Sequence, residues 1–304
     1  MEKGYITTAD GVKLFYRKIG ESPSTVIIPN AIWLYEDFKY LSVDHTLIFY
    51  DLRNRGRSDK VIERRKLSGG IHHDVEDLET IRKHFGRDKV HLIGHSYLGL
   101  MVFLYATNYQ EHVGRVVQIG PMQFNPATKY PKHLVANDET PVPDPKKMED
   151  LANLEASGYA KTNPKEYSKK WWSVVSTIYL TDPNDTIKPI STIDEYPNEW
   201  AGNFQKHLTE NIMPSIQSLD IQKEQIEKCK SPVLTIHGTR DRAAPYGAGR
   251  EWSFVLPDAR LFTIEEGGHL PWIEAPNIVF PAVRTFLNGE WPEGAEEIHV
   301  ADFR

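Results

Sequence analysis

Val90-His91-Leu92-Ile93-Gly94-His95-Ser96-Tyr97-Leu98-Gly99 is the stretch that decides how this chain folds. Its apolar, partly β-branched start reads as a short buried strand. The run stops at a glycine, a serine follows, and 98–109 is apolar nearly all round, which marks a buried helix. A strand-to-helix turn too sharp for ordinary side chains lifts a serine oxygen off the sheet edge. It also aims the new helix's first amides at the same point. Serine is equally a favoured helix cap, so the turn by itself leaves capping open beside catalysis. One position departs from the usual Gly-x-Ser-x-Gly pattern: Leu98 stands where a small residue belongs. A bulky side chain there crowds the neighbouring strand, so the turn calls for a compensating small neighbour or a shifted helix.

Outward from this turn the pattern alternates. Upstream lie a hairpin about Ala9-Asp10-Gly11, apolar strands at 25–28 and 46–50, and a helix at 72–85 whose stripe is Val75, Leu78, Ile81 and Phe85. Downstream are a strand at 113–119 and, after a long interruption, strands at 232–236 and 260–264 with helices near 246–255 and 277–287. Runs apolar on both faces suit a parallel sheet covered by helices on each side. The expectation is a doubly wound, mostly parallel α/β core over 1–120 and 226–304. Between them, 121–225 carries many prolines, tryptophans and tyrosines with no clear strand, and reads as a helical insertion with helices near 147–158, 164–179 and 196–210. Residues 288–304 are polar and receive no element.

Composition narrows the function classes. With 304 residues, 40% hydrophobic and 26% charged, the chain can bury a substantial core. A formal charge of -6 argues against nucleic-acid binding. The basic runs Arg53-Asn54-Arg55-Gly56-Arg57 and Arg64-Arg65-Lys66 read as solvated loop surface. No signal-type or membrane-spanning apolar run is present, and the single cysteine, Cys229, reads as incidental. His72-His73 is the nearest approach to a metal pair, but adjacent residues point to different sides of an element. A cytoplasmic enzyme without cofactor or metal, acting on a small molecule, is expected; the oligomeric state is not legible.

In an open parallel sheet, the loops at the carboxyl ends of the strands form the ligand crevice. Asn30-Ala31, Ser96, Asp241 in His237-Gly238-Thr239-Arg240-Asp241, and His269 in Gly267-Gly268-His269 all follow strands. A serine hydroxyl needs a base to take its proton, and an imidazole in a glycine-rich loop can be one. An aspartate accepting the Nδ1 proton of that imidazole holds the right tautomer. His91, His95 and His237 are rivals for the base. His91 lies within a strand, His95 is expected to point away from the serine oxygen, and His237 is the hardest to set aside. One oxyanion donor is the amide of Tyr97; the other belongs to the loop Pro29-Asn30-Ala31-Ile32-Trp33.

Taken together, these segments resemble the α/β-hydrolase superfamily, and within it the cap-bearing group of proline iminopeptidases, small esterases and related acyl hydrolases. The matching pieces are DLRNRGRSD at 51–59, DVEDLETIRKHFGRDKVHLIGHS at 74–96, HGTRD at 237–241 and GGHLPWIEAP at 267–276. The resemblance implies Ser96 as nucleophile, Asp241 as acid, His269 as base, the Ala31 and Tyr97 amides as oxyanion hole, and the insertion as a lid. Where the family carries His-Gly at the oxyanion loop, this chain has Pro29-Asn30, so Asn30 replaces a glycine and offers a side-chain donor. Trp33, Trp171 and Trp172 are candidate walls for an apolar or aromatic substrate; that they merely pack the insertion's helices stays open. The implied activity is hydrolysis of a carboxylic ester or amide. Alternatives are removal of N-terminal proline, with Glu195, Glu199 or Glu210 pairing with the substrate amine, slow-turnover ligand binding, and carbon–carbon bond hydrolysis.

Overall fold

The computed structural model describes residues 1–125, 127–136, 142–182, 198 and 202–299, the Trp33 side chain excepted. Nine strands form one sheet in the order β1-β2-β4-β3-β5-β6-β7-β8-β9. They are β1 (Glu2–Thr7), β2 (Lys13–Ile19), β3 (Thr25–Pro29), β4 (Thr46–Tyr50), β5 (Val90–His95), β6 (Val113–Ile119), β7 (Val233–Gly238), β8 (Ala259–Ile264) and β9 (Ala295–Glu296). The six strands from β4 across to β8 run parallel, while β1, β2 and β9 pair antiparallel at the two edges. Every residue of β3 and of β4 is buried, as two covered faces require.

Side-chain alternation divides the core into two layers. Ile27 and Ile48 face the layer of α2 (Ile71–His84) and α3 (Tyr97–Asn108), where Leu78, Ile81, Val102 and Phe103 pack. Their chain neighbours Ile28 and Phe49 face the opposite layer, with Phe38 of α1 (Ala31–Phe38), Trp272 and Phe286. Register brings the carboxyl ends of the central strands level: Pro29 pairs with Tyr50, His95 with Ile119, and Ile119 with Ile236. Strand order reverses direction where β3 lies beside β5, which sets the loop after β3 next to the serine turn.

Between β6 and β7 the described residues hold helices and no strand. These are α4 (Pro145–Ala156), α5 (Tyr159–Thr162), α6 (Pro164–Tyr179), α7 (Asn203–His207), α8 (Met213–Gln217) and α9 (Lys223–Glu227), with a 3-10 turn at Lys132–Leu134 and a π-helical turn at Leu208–Ile212. The expected helix at 196–210 begins outside the described residues, and its described part runs on to Gln217. The C-terminal stretch is not without structure either: Glu296 and Ala295 of β9 pair with Leu261 and Phe262.

The arginines of 53–57 correct the expectation of a solvated basic loop. Arg53 is 3% exposed and clamps Asp77 of α2 through Nε and Nη2, at 2.7 and 2.8 Å, while its Nη1 reaches Asp10. Arg55 is also buried, with its guanidinium 3.9 Å from the ring centre of Phe204 in α7. Here a basic run holds a buried corner together because carboxylates and an aromatic face were folded against it. Cys229 is buried as a small apolar side chain. Among the described residues no helix is long and apolar enough to cross a membrane, and no group of His, Cys, Asp and Glu is arranged to hold a metal.

Candidate active site

The serine turn has the strain expected of it. Ser96 adopts φ 60°, ψ -129°, a region that side-chain-bearing residues avoid, and initiates α3. Its amide donates to Ile119 O at 3.0 Å, and its carbonyl accepts from Gly99 N and Met122 N, so β6 and α3 hold the turn from both sides. Gly94 lets β5 and α3 approach closely. A Cβ there would lie 2.3 Å from the Leu98 carbonyl oxygen, so strand and helix touch backbone to backbone. Leu98 itself is 1% exposed and turns into the α2–α3 layer of the core. Its bulk is absorbed by packing, and the turn keeps its shape.

Across the sheet edge, the loops after β7 and β8 bring Asp241 and His269 together. His269 Nδ1 lies 2.7 Å from Asp241 Oδ2, and the residues are each 1% exposed. The other carboxylate oxygen accepts the amides of Ala243 and Ala244 at 2.8 and 2.7 Å. Burial works against the Asp241 charge, but the charge and hydrogen bonds of His269 and His237 outweigh it and hold the carboxyl below the usual aspartate range. Nε2 of His269 is buried and has no hydrogen-bond partner among the described residues. A ring whose Nδ1 is held by a carboxylate and whose Nε2 is uncommitted is arranged as a general base.

The remaining predicted residues take varied positions. Ala31 and Tyr97 are the first residues of α1 and α3, and the first amides of a helix have no intrahelical acceptor. Asn30 sits in the left-handed region at φ 78°, ψ 58°, which asparagine tolerates better than most residues, so it serves where a glycine would. Its amide donates to Tyr50 O, and its buried Oδ1 is without a hydrogen-bond partner among the described residues. Trp171 and Trp172 lie 6.2 Å apart by ring centres; Trp172 stacks on Tyr179 at 5.5 Å, and Tyr179 reaches the His269 ring at 5.4 Å. The Trp33 side chain, Glu195 and Glu199 lie outside the described residues. Glu210 is exposed, 4.0 Å from Lys206.

A family model for the alpha/beta hydrolase fold matches residues 29–276, from the end of β3 to the start of the last helix. The chain belongs to the α/β-hydrolase family. It is 24% identical over 261 residues to a proline iminopeptidase of Saccharolobus solfataricus, covering 80% of this chain and 76% of that one. It is 23% identical over 288 residues to a bifunctional esterase/perhydrolase of Acinetobacter calcoaceticus, covering 90% and 96%. Among solved structures, a serine hydrolase from the polyaromatic-hydrocarbon-degrading bacterium Cycloclasticus zankles superposes with a TM-score of 0.71 at 15% identity, over 95% of this chain and 98% of that one. That last likeness is one of fold.

Three residues of this α/β hydrolase escape a reading of the sequence alone. His95 has its ring 4.5 Å from that of His269, and its Nε2 donates to the His269 carbonyl at 3.0 Å. Burial, then the neighbouring His269, push its pKa well down. Glu274 accepts from Gly268 N at 2.6 Å on one oxygen and from Thr181 N and Oγ1 on the other, tying the histidine loop to the segment after α6. The His269 amide completes that tie by donating to Tyr179 O at 2.9 Å. Gly120, at φ 48°, passes so close to the pair that a Cβ would lie 3.0 Å from His269 Nδ1. The glutamate of GGHLPWIEAP and the glycine after β6 are visible in the sequence, but nothing in their spacing announces these contacts.

Proposed function

We propose that this protein is a serine hydrolase of carboxylic esters or amides that works through an acyl-enzyme. The observation that carries the reading is the 2.7 Å His269–Asp241 pair, with its uncommitted Nε2, on the same sheet edge as a serine held at positive φ. Ser96 Oγ attacks the substrate carbonyl carbon while His269 Nε2 takes the hydroxyl proton, and Asp241 stabilises the imidazolium that results. The Ala31 and Tyr97 amides receive the negative oxygen of the tetrahedral intermediate. Its collapse expels the alcohol or amine, protonated by His269. Water, activated by the same nitrogen, then releases the acid and restores Ser96.

The insertion over 121–225 acts as the lid. The aromatic series Trp171, Trp172, Tyr179 leads from α6 to the base and supports an apolar or aromatic acyl or leaving group. A fluorophosphonate probe is expected to label the wild type and not Ser96→Ala; a folded wild type that takes no label contradicts the proposal. Turnover of a p-nitrophenyl ester against a proline anilide then separates esterase from aminopeptidase specificity.

A further inference from the structure

His237 is the rival histidine that the sequence leaves hardest to set aside, and the structure gives it a place of its own. It is the penultimate residue of β7, fully buried, and its Nε2 lies 3.2 Å from Asp241 Oδ2. That oxygen is the one that receives His269 Nδ1. His237 Nε2 is also 3.1 Å from the Ala244 carbonyl oxygen, which can only accept, so Nε2 carries the ring proton and presents it to both oxygens. The opposite nitrogen, Nδ1, is packed against Gly249: a Cβ on that glycine would come within 2.5 Å of it. The Tyr246 ring closes the edge of the imidazole at 5.9 Å between centres. The ring therefore has one orientation and one tautomer. With no second nitrogen turned toward the sheet edge, it is not placed to serve Ser96.

We infer that His237 is a positioning residue that sets the strength of the base through Asp241, by placing a second N–H on the oxygen that holds His269. This rests on the proposed roles of Asp241 and His269. All four hydrogen-bonding directions of the carboxylate are then engaged: two backbone amides on Oδ1, two imidazoles on Oδ2. Such a carboxylate cannot rotate, and its charge is shared. A donor on Oδ2 competes with His269 for the same lone-pair density, so the acid pulls less strongly on the imidazolium than a carboxylate with one partner would. The other ionisable groups facing this pair are His95 from β5 and Tyr179 from the insertion, with Arg55 acting by its charge. His95 and Tyr179 lie against the His269 ring, Arg55 bears on those two by charge, and Tyr246 lies against His237; of these groups, His237 is the one whose ring nitrogen reaches the Asp241 carboxylate.

The test combines a pH profile with proton and nitrogen NMR. In His237→Leu the acid limb of kcat/KM is expected to move up by about one pH unit, a tenfold change in proton affinity, with kcat lowered and KM little changed. The low-field proton resonance of the His269–Asp241 bond is expected to shift with it. His237→Gln, which keeps an N–H in place, should return the limb most of the way. If both variants lose stability alike and neither limb nor resonance moves, His237 is a packing residue and the inference falls. Should the variants not fold, wild-type nitrogen NMR decides: His237 protonated at Nδ1 overturns it, and an Nε2 proton moved to low field by a hydrogen bond to the carboxylate supports it. The resonance needs no turnover, so a wild type that shows it but takes no fluorophosphonate sinks the hydrolase reading and not this one.

Discussion

Gly120→Ala tests the geometry of the His269–Asp241 pair without touching either residue. The glycine follows β6 at φ 48° and donates its amide to Ile236 O at 2.8 Å. A methyl there would stand 3.0 Å from His269 Nδ1, 3.1 Å from Asp241 Oδ2 and 3.3 Å from His269 Cε1. Ordinary contact is about 3.5–4.0 Å, so the pair must retreat by about half an ångström. Misplacing a reacting group by about 1 Å costs on the order of 10²-fold, and half of that, about tenfold in kcat. The left-handed backbone adds about 1–2 kcal/mol of lost stability. Gly86→Ala is the control: it has φ 58° and nothing within 4 Å, so it carries the backbone cost and no wedge. Steady-state kinetics with a p-nitrophenyl ester, alongside chemical denaturation, separates the two effects. The expected outcome is a similar stability loss in both variants and a fall in kcat in Gly120→Ala alone. Equal kcat in the two would mean that a methyl at 120 does not displace the His269–Asp241 pair.

Other consequences follow from the same structure. Asp241→Asn cannot satisfy four donors in either amide orientation, so it favours the wrong His269 tautomer; kcat should fall on the order of 10⁴-fold with the fold retained, measured by kinetics and circular dichroism. Trp172→Ala should raise KM for aromatic esters by about threefold to tenfold while leaving acetate esters nearly unchanged, since stacked aromatic contacts are worth about 0.5–1.5 kcal/mol. Asp74 in α2 is fully buried, and burial, then the charge of Asp77, raise its pKa well above the aspartate value. The folded state therefore holds that proton longer than the unfolded one, and the associated stability is complete below the unfolded pKa and lost as pH rises through the folded one. Asp74→Asn should match the wild type below pH 4 and exceed it by about 1–3 kcal/mol at pH 8; a difference that does not vary with pH contradicts this assignment.

The fold is legible where burial dictates residue type. β3, β4 and the helix after Ser96 announce themselves because elements covered on both sides admit almost only apolar side chains. The serine turn, the aspartate after β7 and the histidine after β8 are legible as positions, because turn chemistry marks the carboxyl ends of strands. What no pattern carries is contact between distant segments. Arg53 and Arg55 read as loop charges until Asp77 and Phe204 are folded against them. The contacts of the rival histidines His95 and His237 are not legible because their partners, the His269 carbonyl and the Asp241 carboxylate, depend on how β5, β7 and β8 lie side by side. The strand at Ala295–Glu296 is too short to leave a period, and exists only because β8 offers it an edge.

Turnover is expected to pass through a covalent acyl intermediate on Ser96. Rapid acid quenching during turnover of a p-nitrophenyl ester, followed by intact-mass and peptide mass spectrometry, reads it directly. One acyl addition per chain is expected, located on the peptide that contains Ser96 and missing from Ser96→Ala. Sustained turnover by Ser96→Ala, or an acyl group carried on a different residue, would contradict it.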